Sequence, residues 1–471
     1  GILCQERGFL KSGSSGGFCK TLSRKGKSPG SSLWKTLLKY EIERKSAMKQ
    51  SIREVKGRHI FDSRGNPTIR CRVILEDGSC GIAAVPSGAS TGKKEALELR
   101  DGEEAYGGKG VFHAIWNVNN DLSTLLCGKN SLGQEEIDRS MILLDGTENK
   151  SRLGANAILA VSLANAHASA ASLGLPLYRY IGGAGSYTLP LPFMNVLNGG
   201  RHADNLLDIQ EFMIVPVGAT TFAQAMKMGT EVYHALGKRL REQKFFTGRG
   251  DEGGFAPQVS NERQALELIL EAVEAVGYQP GKDVALALDA AASEWAVGEG
   301  KYRMPKSGRE FDSSGLCRFF EELCQSYPLI SLEDPLGEED WSGFTELTQR
   351  LGNRVQIVGD DLFVTQVKRL ETGIKEKACN AVLVKPNQVG TLSETGETVG
   401  RALSAGYYAM LSHRSGETED TTIADLAVAY GVGQIKSGAP SGGERTAKYN
   451  RLLEIEDELG KKAHLARWKR I

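Results

Sequence analysis

Three short runs decide the fold: Leu329-Ile330-Ser331-Leu332-Glu333, Val355-Gln356-Ile357-Val358-Gly359-Asp360 and Ala381-Val382-Leu383-Val384-Lys385. Each has a mostly apolar body, is too short for a helix, and ends on a charge. A body apolar on both faces suits a strand of a parallel sheet covered by helices. A charge at the tip of such a strand is costly to bury without a partner. The pattern extends in both directions. Upstream, Val284–Leu288 ends at Asp289. Downstream, Tyr408–Leu411 ends near His413 and Arg414, and Gln434–Ile435 ends at Lys436. Most intervals between these ends run from 23 to 28 residues, the size of one strand–helix unit; that from Asp289 to Glu333 is 44. One such tip could be a solvated loop charge, but six in register are not. In a (β/α)₈ barrel the strand tips converge at one mouth, where active sites sit. The expected fold class is therefore α/β, with a C-terminal TIM-type barrel over residues 186–471.

Three of the tips, Asp289, Glu333 and Asp360, are carboxylates. Packed together they would repel and take up protons. A hard divalent cation resolves this, and all-oxygen ligation suits Mg²⁺. The other tips, Lys385, Arg414 and Lys436, are cations, which suggests an anionic, plausibly phosphorylated, substrate. A lysine near a metal and other cations has a lowered pKa and can act as a base. From the pattern alone, Lys385 as a base and Lys385 as a neutraliser of the carboxylates are equally supported.

Residues 49–185 have a different rhythm. Arg53–Phe61, a turn at Asp62-Ser63-Arg64-Gly65-Asn66-Pro67, and Thr68–Leu75 followed by Asp77-Gly78 read as a hairpin. Ala83–Thr91 reads as a loop. Gly108–Leu173 reads as helical, with amphipathic stretches such as Gly154–Ala171. This makes a smaller N-terminal α+β domain, bounded by the Gly-rich Ile181–Gly185. Residues 1–48 differ again, with ten Lys/Arg against three acids, many Ser and Gly, and no apolar core for a secretory signal. They read as a disordered basic extension, either a transit peptide or sequence upstream of a start at Met48, the second being favoured.

Composition bounds the partners. Lys+Arg and Asp+Glu are 58 each, so neither nucleic acid nor an anionic membrane is the expected partner. No apolar run approaches the ~18 residues of a membrane span. The eight cysteines are scattered, with no Cys-x-x-Cys pair, which fits a reducing cytoplasm better than a disulfide framework.

From about Ser51 to Gly460 the chain resembles the enolase family. The resemblance is carried by Asp62-Ser63-Arg64-Gly65-Asn66-Pro67-Thr68, Ser87-Gly88-Ala89-Ser90-Thr91-Gly92, Gln210-Glu211-Phe212-Met213 and Gly250-Asp251-Glu252-Gly253-Gly254. Ser331-Leu332-Glu333-Asp334-Pro335, Gly359-Asp360-Asp361-Leu362, Ser412–Asp420 and Gln434-Ile435-Lys436 continue it. His202-Ala203-Asp204-Asn205 is similar to the bacterial branch. The resemblance implies Mg²⁺-dependent interconversion of 2-phosphoglycerate and phosphoenolpyruvate, with two Mg²⁺ per site. A metal, a base and an ene-diolate is the arrangement already known for the enolase superfamily, so this is a match to a known case.

Residue by residue, the resemblance implies Lys385 as the base on C2 and Glu252 as the acid on the C3 hydroxyl. Glycines beside Glu252 would let its loop come close to the substrate. Asp289, Glu333 and Asp360 correspond to the first metal's ligands. Ser90 lies on a mobile lid that binds the second metal and the substrate phosphate. Arg414, Ser415 and Lys436 correspond to the anion clamp, and His202, Gln210, Glu211 and His413 to further pocket residues. The family also implies a homodimer, sometimes an octamer, and a cytoplasmic enzyme with a cell-surface or secreted fraction in some bacteria.

The chain departs from the family at several points. Arg70 and Glu454 carry signs opposite to those usual for a cross-subunit pair, while Arg58 and Glu444 keep theirs. Gly442-Gly443 replaces Arg-Ser or Arg-Thr, and Arg201 and Arg249 add cations near the mouth. A sugar-acid dehydratase or racemase would not combine this lid with this acid loop. A non-catalytic binding protein should have lost a metal ligand or Lys385, and none is lost. The C-terminal lysine through which some enolases act as surface receptors is not expected, since the chain ends Trp468-Lys469-Arg470-Ile471.

Overall fold

Eight strands close into a barrel in the computed structural model, which describes residues 49–468 apart from 90, 91 and 103. The extension 1–48 lies outside the described residues. Round the barrel the strands run Leu191–Asn198, Glu211–Val215, Ala285–Asp289, Leu329–Glu333, Gln356–Gly359, Ala381–Val384, Tyr408–Ser412 and Gln434–Lys436. The last six are the runs identified from their tips. They are parallel, and nearly every residue in them is buried.

The first two barrel strands were not expected. Both are buried along their whole length, and Glu211–Val215 is antiparallel to each neighbour. They are joined by the loop 199–210 with no α-helix between, so the strand–helix rhythm does not mark them. Two helices, Phe222–Glu242 and Glu262–Ala275, then follow in succession. The long interval from Asp289 to Glu333 is filled by a small antiparallel sheet, Ala296–Gly298, Lys301–Arg303 and Glu310–Asp312, ahead of the helix Ser313–Ser326.

Ahead of the barrel, Ile52–Phe61, Pro67–Leu75 and Cys80–Ala84 form an antiparallel meander. The third strand takes the start of the stretch expected to be loop. The helix Ala155–Ser172 lies against this sheet. It is buried on all faces, so it is not the amphipathic helix expected. Its alanines allow close approach. A Cβ on Gly81 would lie 2.0 Å from the Ala164 carbonyl oxygen, so only glycine fits there. One continuous core runs through the sheet, this helix and the barrel.

Candidate active site

Strand register builds the mouth. Glu211 pairs with Asp289, and Asp289 with Glu333, so three carboxylates lie side by side on adjacent strands. Lys436 closes over them from the eighth strand. Its Nζ donates to Glu333 Oε1 at 2.8 Å, Glu211 Oε1 at 3.2 Å and Asp289 Oδ2 at 3.4 Å. Burial opposes its charge, but Glu211, Glu333 and Asp289 hold the ammonium well above the usual lysine range.

Lys385 follows the sixth strand and pairs with Asp360 Oδ2, whose other oxygen accepts from Gln388 at 2.9 Å. Burial again opposes the lysine's charge, but Asp360 outweighs it and keeps Lys385 above its ordinary pKa. Arg414 and Lys436 push the other way, as the sequence pattern suggested, and with no cation on Asp360 its carboxylate prevails. The cause is the direct carboxylate contact, which the strand pattern did not reveal. Burial works to raise Asp360, and Lys385 and Lys436 outweigh it and hold it down.

Glu252 comes from the loop between the two successive helices. Phe255 folds that loop back beside the first barrel strand, with Asn198 N to Phe255 O at 2.8 Å and Phe255 N to Val196 O at 2.9 Å. The flanking glycines serve this contact. A Cβ on Gly254 would lie 2.8 Å from Asn198 Oδ1, and one on Gly250 would lie 2.5 Å from the His202 carbonyl oxygen. The glycines thus let the loop pack closely on the first barrel strand and on the loop after it. The buried Glu252 carboxylate accepts from Asn195 Nδ2 at 3.0 Å, with His413 Nε2 3.4 Å and His202 Nδ1 3.7 Å away. Burial drives both imidazoles toward the neutral form, His413 down to about 3. Burial and the nearby Glu252 push Glu211 well up, which favours a proton held on this pair of carboxylates.

Arg414 is buried and held by Glu95 at 3.0 and 3.2 Å and by Asn387 at 3.0 Å. Ser415 Oγ accepts from Ala89 N at 2.7 Å, and Ser87 and Gly416 exchange backbone hydrogen bonds. The root of the expected lid is thus joined to the Arg414 loop. Ser90 itself lies outside the described residues. A single pocket is lined by His202, Gln210, Glu211, Glu252, Asp289, Lys385, His413, Arg414, Ser415 and Lys436.

The carboxylates at the strand tips suit a hard cation. Glu333 Oε2 and Glu211 Oε2 are buried with no hydrogen-bond partner among the described residues, and all the donors are oxygens. Asp334, Asp360 and Asp361 also cluster, but both Asp334 oxygens are taken by the amides of Asp360 and Asp361 at 2.8 Å. Asp334 therefore anchors the backbone. Of the two extra cations, Arg201 pairs with Glu294 at 2.9 Å and Arg249 stacks over Tyr233. Gly442 has φ of 93°, a conformation that favours glycine, and caps the helix Gly443–Leu459. Sequence reasoning missed Asn195, Glu95 and Gln388. Asn195 sat on an unrecognised strand, while Glu95, just past the lid motif, was the most findable.

Residues 52–181 match the family model for Enolase, N-terminal domain, and residues 186–470 that for Enolase, C-terminal TIM barrel domain. The enolases of two Tropheryma whipplei strains, Twist and TW08/27, are each 56% identical over 418 residues, covering 88% of this chain and 97% of the relative.

Proposed function

The chain belongs to the enolase family, and on that premise we propose how its barrel mouth works as a phosphopyruvate hydratase. Lys385 removes the proton from C2 of 2-phosphoglycerate, and the electron pair moves into the adjacent carboxylate to give an ene-diolate. Lys436, buried and firmly protonated, faces the developing charge. Glu252 then gives a proton to the C3 hydroxyl, which departs as water, and phosphoenolpyruvate remains. The reverse reaction uses the same groups in opposite protonation states. Arg414 and Ser415 hold the phosphate, and His202, Gln210, Glu211 and His413 shape the pocket. Mg²⁺ held by Asp289, Glu333 and Asp360, with a second ion at Ser90, would supply Lewis-acid charge against the substrate carboxylate and compete for Asp360, the group that keeps Lys385 protonated.

The observation that carries this reading is the convergence of Lys385, Lys436 and three carboxylates in one buried mouth opposite Glu252. The test is the ultraviolet absorbance of phosphoenolpyruvate formed from 2-phosphoglycerate, with Mg²⁺ and then with excess chelator. Turnover that stops with chelator, returns with Mg²⁺ and is lost in Lys385→Ala is expected. No turnover in folded, Mg²⁺-loaded wild type would reject the reading.

The same proposal keeps the domain division at 49–185 and 186–471. It also includes a homodimer in which Arg70 meets Glu454 of the partner subunit. Arg70 has no ion pair among the described residues. It lines a groove of about 760 Å³ with Phe61 and Glu444. The six cysteines among the described residues are free thiols, and the proposal keeps a cytoplasmic location. Among the described residues no helix is long and apolar enough to cross a membrane.

A further inference from the structure

Arg445 is fully buried in the first turn of the helix Gly443–Leu459. Its Nη1 lies 2.5 Å from His413 Nδ1 and donates to the Arg414 carbonyl at 2.6 Å. Its Nη2 donates to the carbonyls of Asp251 at 2.9 Å and Ser415 at 2.6 Å. A guanidinium offers N–H donors and no acceptor. His413 Nδ1 must therefore accept, and a neutral imidazole then carries its one proton on Nε2. That nitrogen is the one 3.4 Å from Glu252 Oε2.

We propose that Arg445 is a positioning residue that fixes His413 as the Nε2–H tautomer, so that a neutral imidazole presents its N–H toward Glu252, 3.4 Å away. The inference rests on Glu252 being the acid. Glu252 must be protonated for dehydration and ionised for hydration. A neutral donor supports the ionised form without locking it in place. An imidazolium would add a full positive charge and hold Glu252 ionised. The other tautomer would point a lone pair at the carboxylate and hold it protonated. The charged and titratable groups around His413 are Glu252 and Lys436 from the mouth and Arg445 from the helix, with His202 on the far side of Glu252. Burial first, and then the charge of Arg445, keep the ring neutral. Because the same guanidinium binds the carbonyls of residues 251, 414 and 415, it also ties the acid loop to the anion clamp.

The test is ¹⁵N NMR of the imidazole nitrogens in the full chain at neutral pH, with His413 assigned by His413→Gln. A protonated Nε2 with a bare Nδ1 is expected. An Nδ1–H tautomer, or an imidazolium, would overturn the inference without any variant of Arg445. Arg445→Met should give mixed tautomers and a kcat lower by about 10²-fold, with KM little changed. Arg445→Lys keeps a donor on Nδ1 and should restore the Nε2–H signal and much of the lost turnover. Arg445→Met that keeps pure Nε2–H and wild-type kcat would also overturn it. Should the Met variant not fold, the wild-type and Lys spectra decide. Glu252→Gln separates this inference from the reading beneath it: full turnover there would remove the acid role, whatever the tautomer.

Discussion

The two sides of the mouth are equally buried but compensate charge in opposite ways. On one side, Asp289, Glu333 and Asp360 are matched by the ammonium groups of Lys436 and Lys385, charge against charge. On the other, Glu252 accepts a hydrogen bond from Asn195 and lies beside two imidazoles that burial keeps uncharged. The first side stands on strand ends and the second on loops folded back against a strand. A buried ion pair is strongly destabilised when one partner is removed, because the other charge is left unpaired. A neutral hydrogen bond costs less to lose. The paired side thus holds a stable charge pattern for binding anions, while on the other side His413, His202 and Lys436 outweigh burial and hold Glu252 well below the usual carboxylate range.

Removing groups from each side tests this contrast. Lys385→Ala should have the largest effect, with kcat down by about 10⁴-fold, since it removes the base and leaves Asp360 without its ammonium. Glu252→Gln should cost less, on the order of 10²–10³-fold, because the amide fills the same space and still hydrogen-bonds. Both are read from phosphoenolpyruvate absorbance. Equal losses, or a larger loss for Glu252→Gln, would break the comparison.

The difference in acid stability between wild type and His413→Gln probes the neutral side. The folded His413 binds its proton only near pH 3, while the unfolded one does so at about 6.5. Between those values unfolding takes up a proton, so stability falls as pH drops through that window. In urea unfolding at stepped pH, His413→Gln should show a flatter decline below pH 6.5 than wild type. An unchanged slope would mean that the imidazole is not neutral in the native state.

The smallest effect is expected where charge is exposed. Arg70→Glu should weaken the proposed dimer by no more than about 1 kcal/mol, and adding Glu454→Arg should restore it. Sedimentation showing no rescue would reject the pairing.

Six of the eight barrel strands could be read directly because each joined an apolar body to a charged tip. Burial on both faces makes such a body continuous, and function supplies the tip. The first two strands escaped because one turns back antiparallel, with a loop where the rhythm requires a helix. The helix Ala155–Ser172 was recognised as a helix but not as a fully buried one, because alanine suits both a packed and a solvated face.

The sequence alone therefore determined that a barrel exists, which end of it carries the chemistry, and which residue types meet there. These follow from short-range pattern, as a strand's period and its end residue are local properties. Only the tertiary structure decided which groups touch. Lys385 is held by Asp360, which outweighs the lowering by its fellow cations Arg414 and Lys436. The glycines around Glu252 let its loop pack closely on Asn198, the His202 carbonyl and Ser441. Arg445, distant in sequence from His413, reaches its ring. A pKa or a tautomer depends on neighbours within a few ångströms, and those neighbours come from segments that lie far apart in the chain.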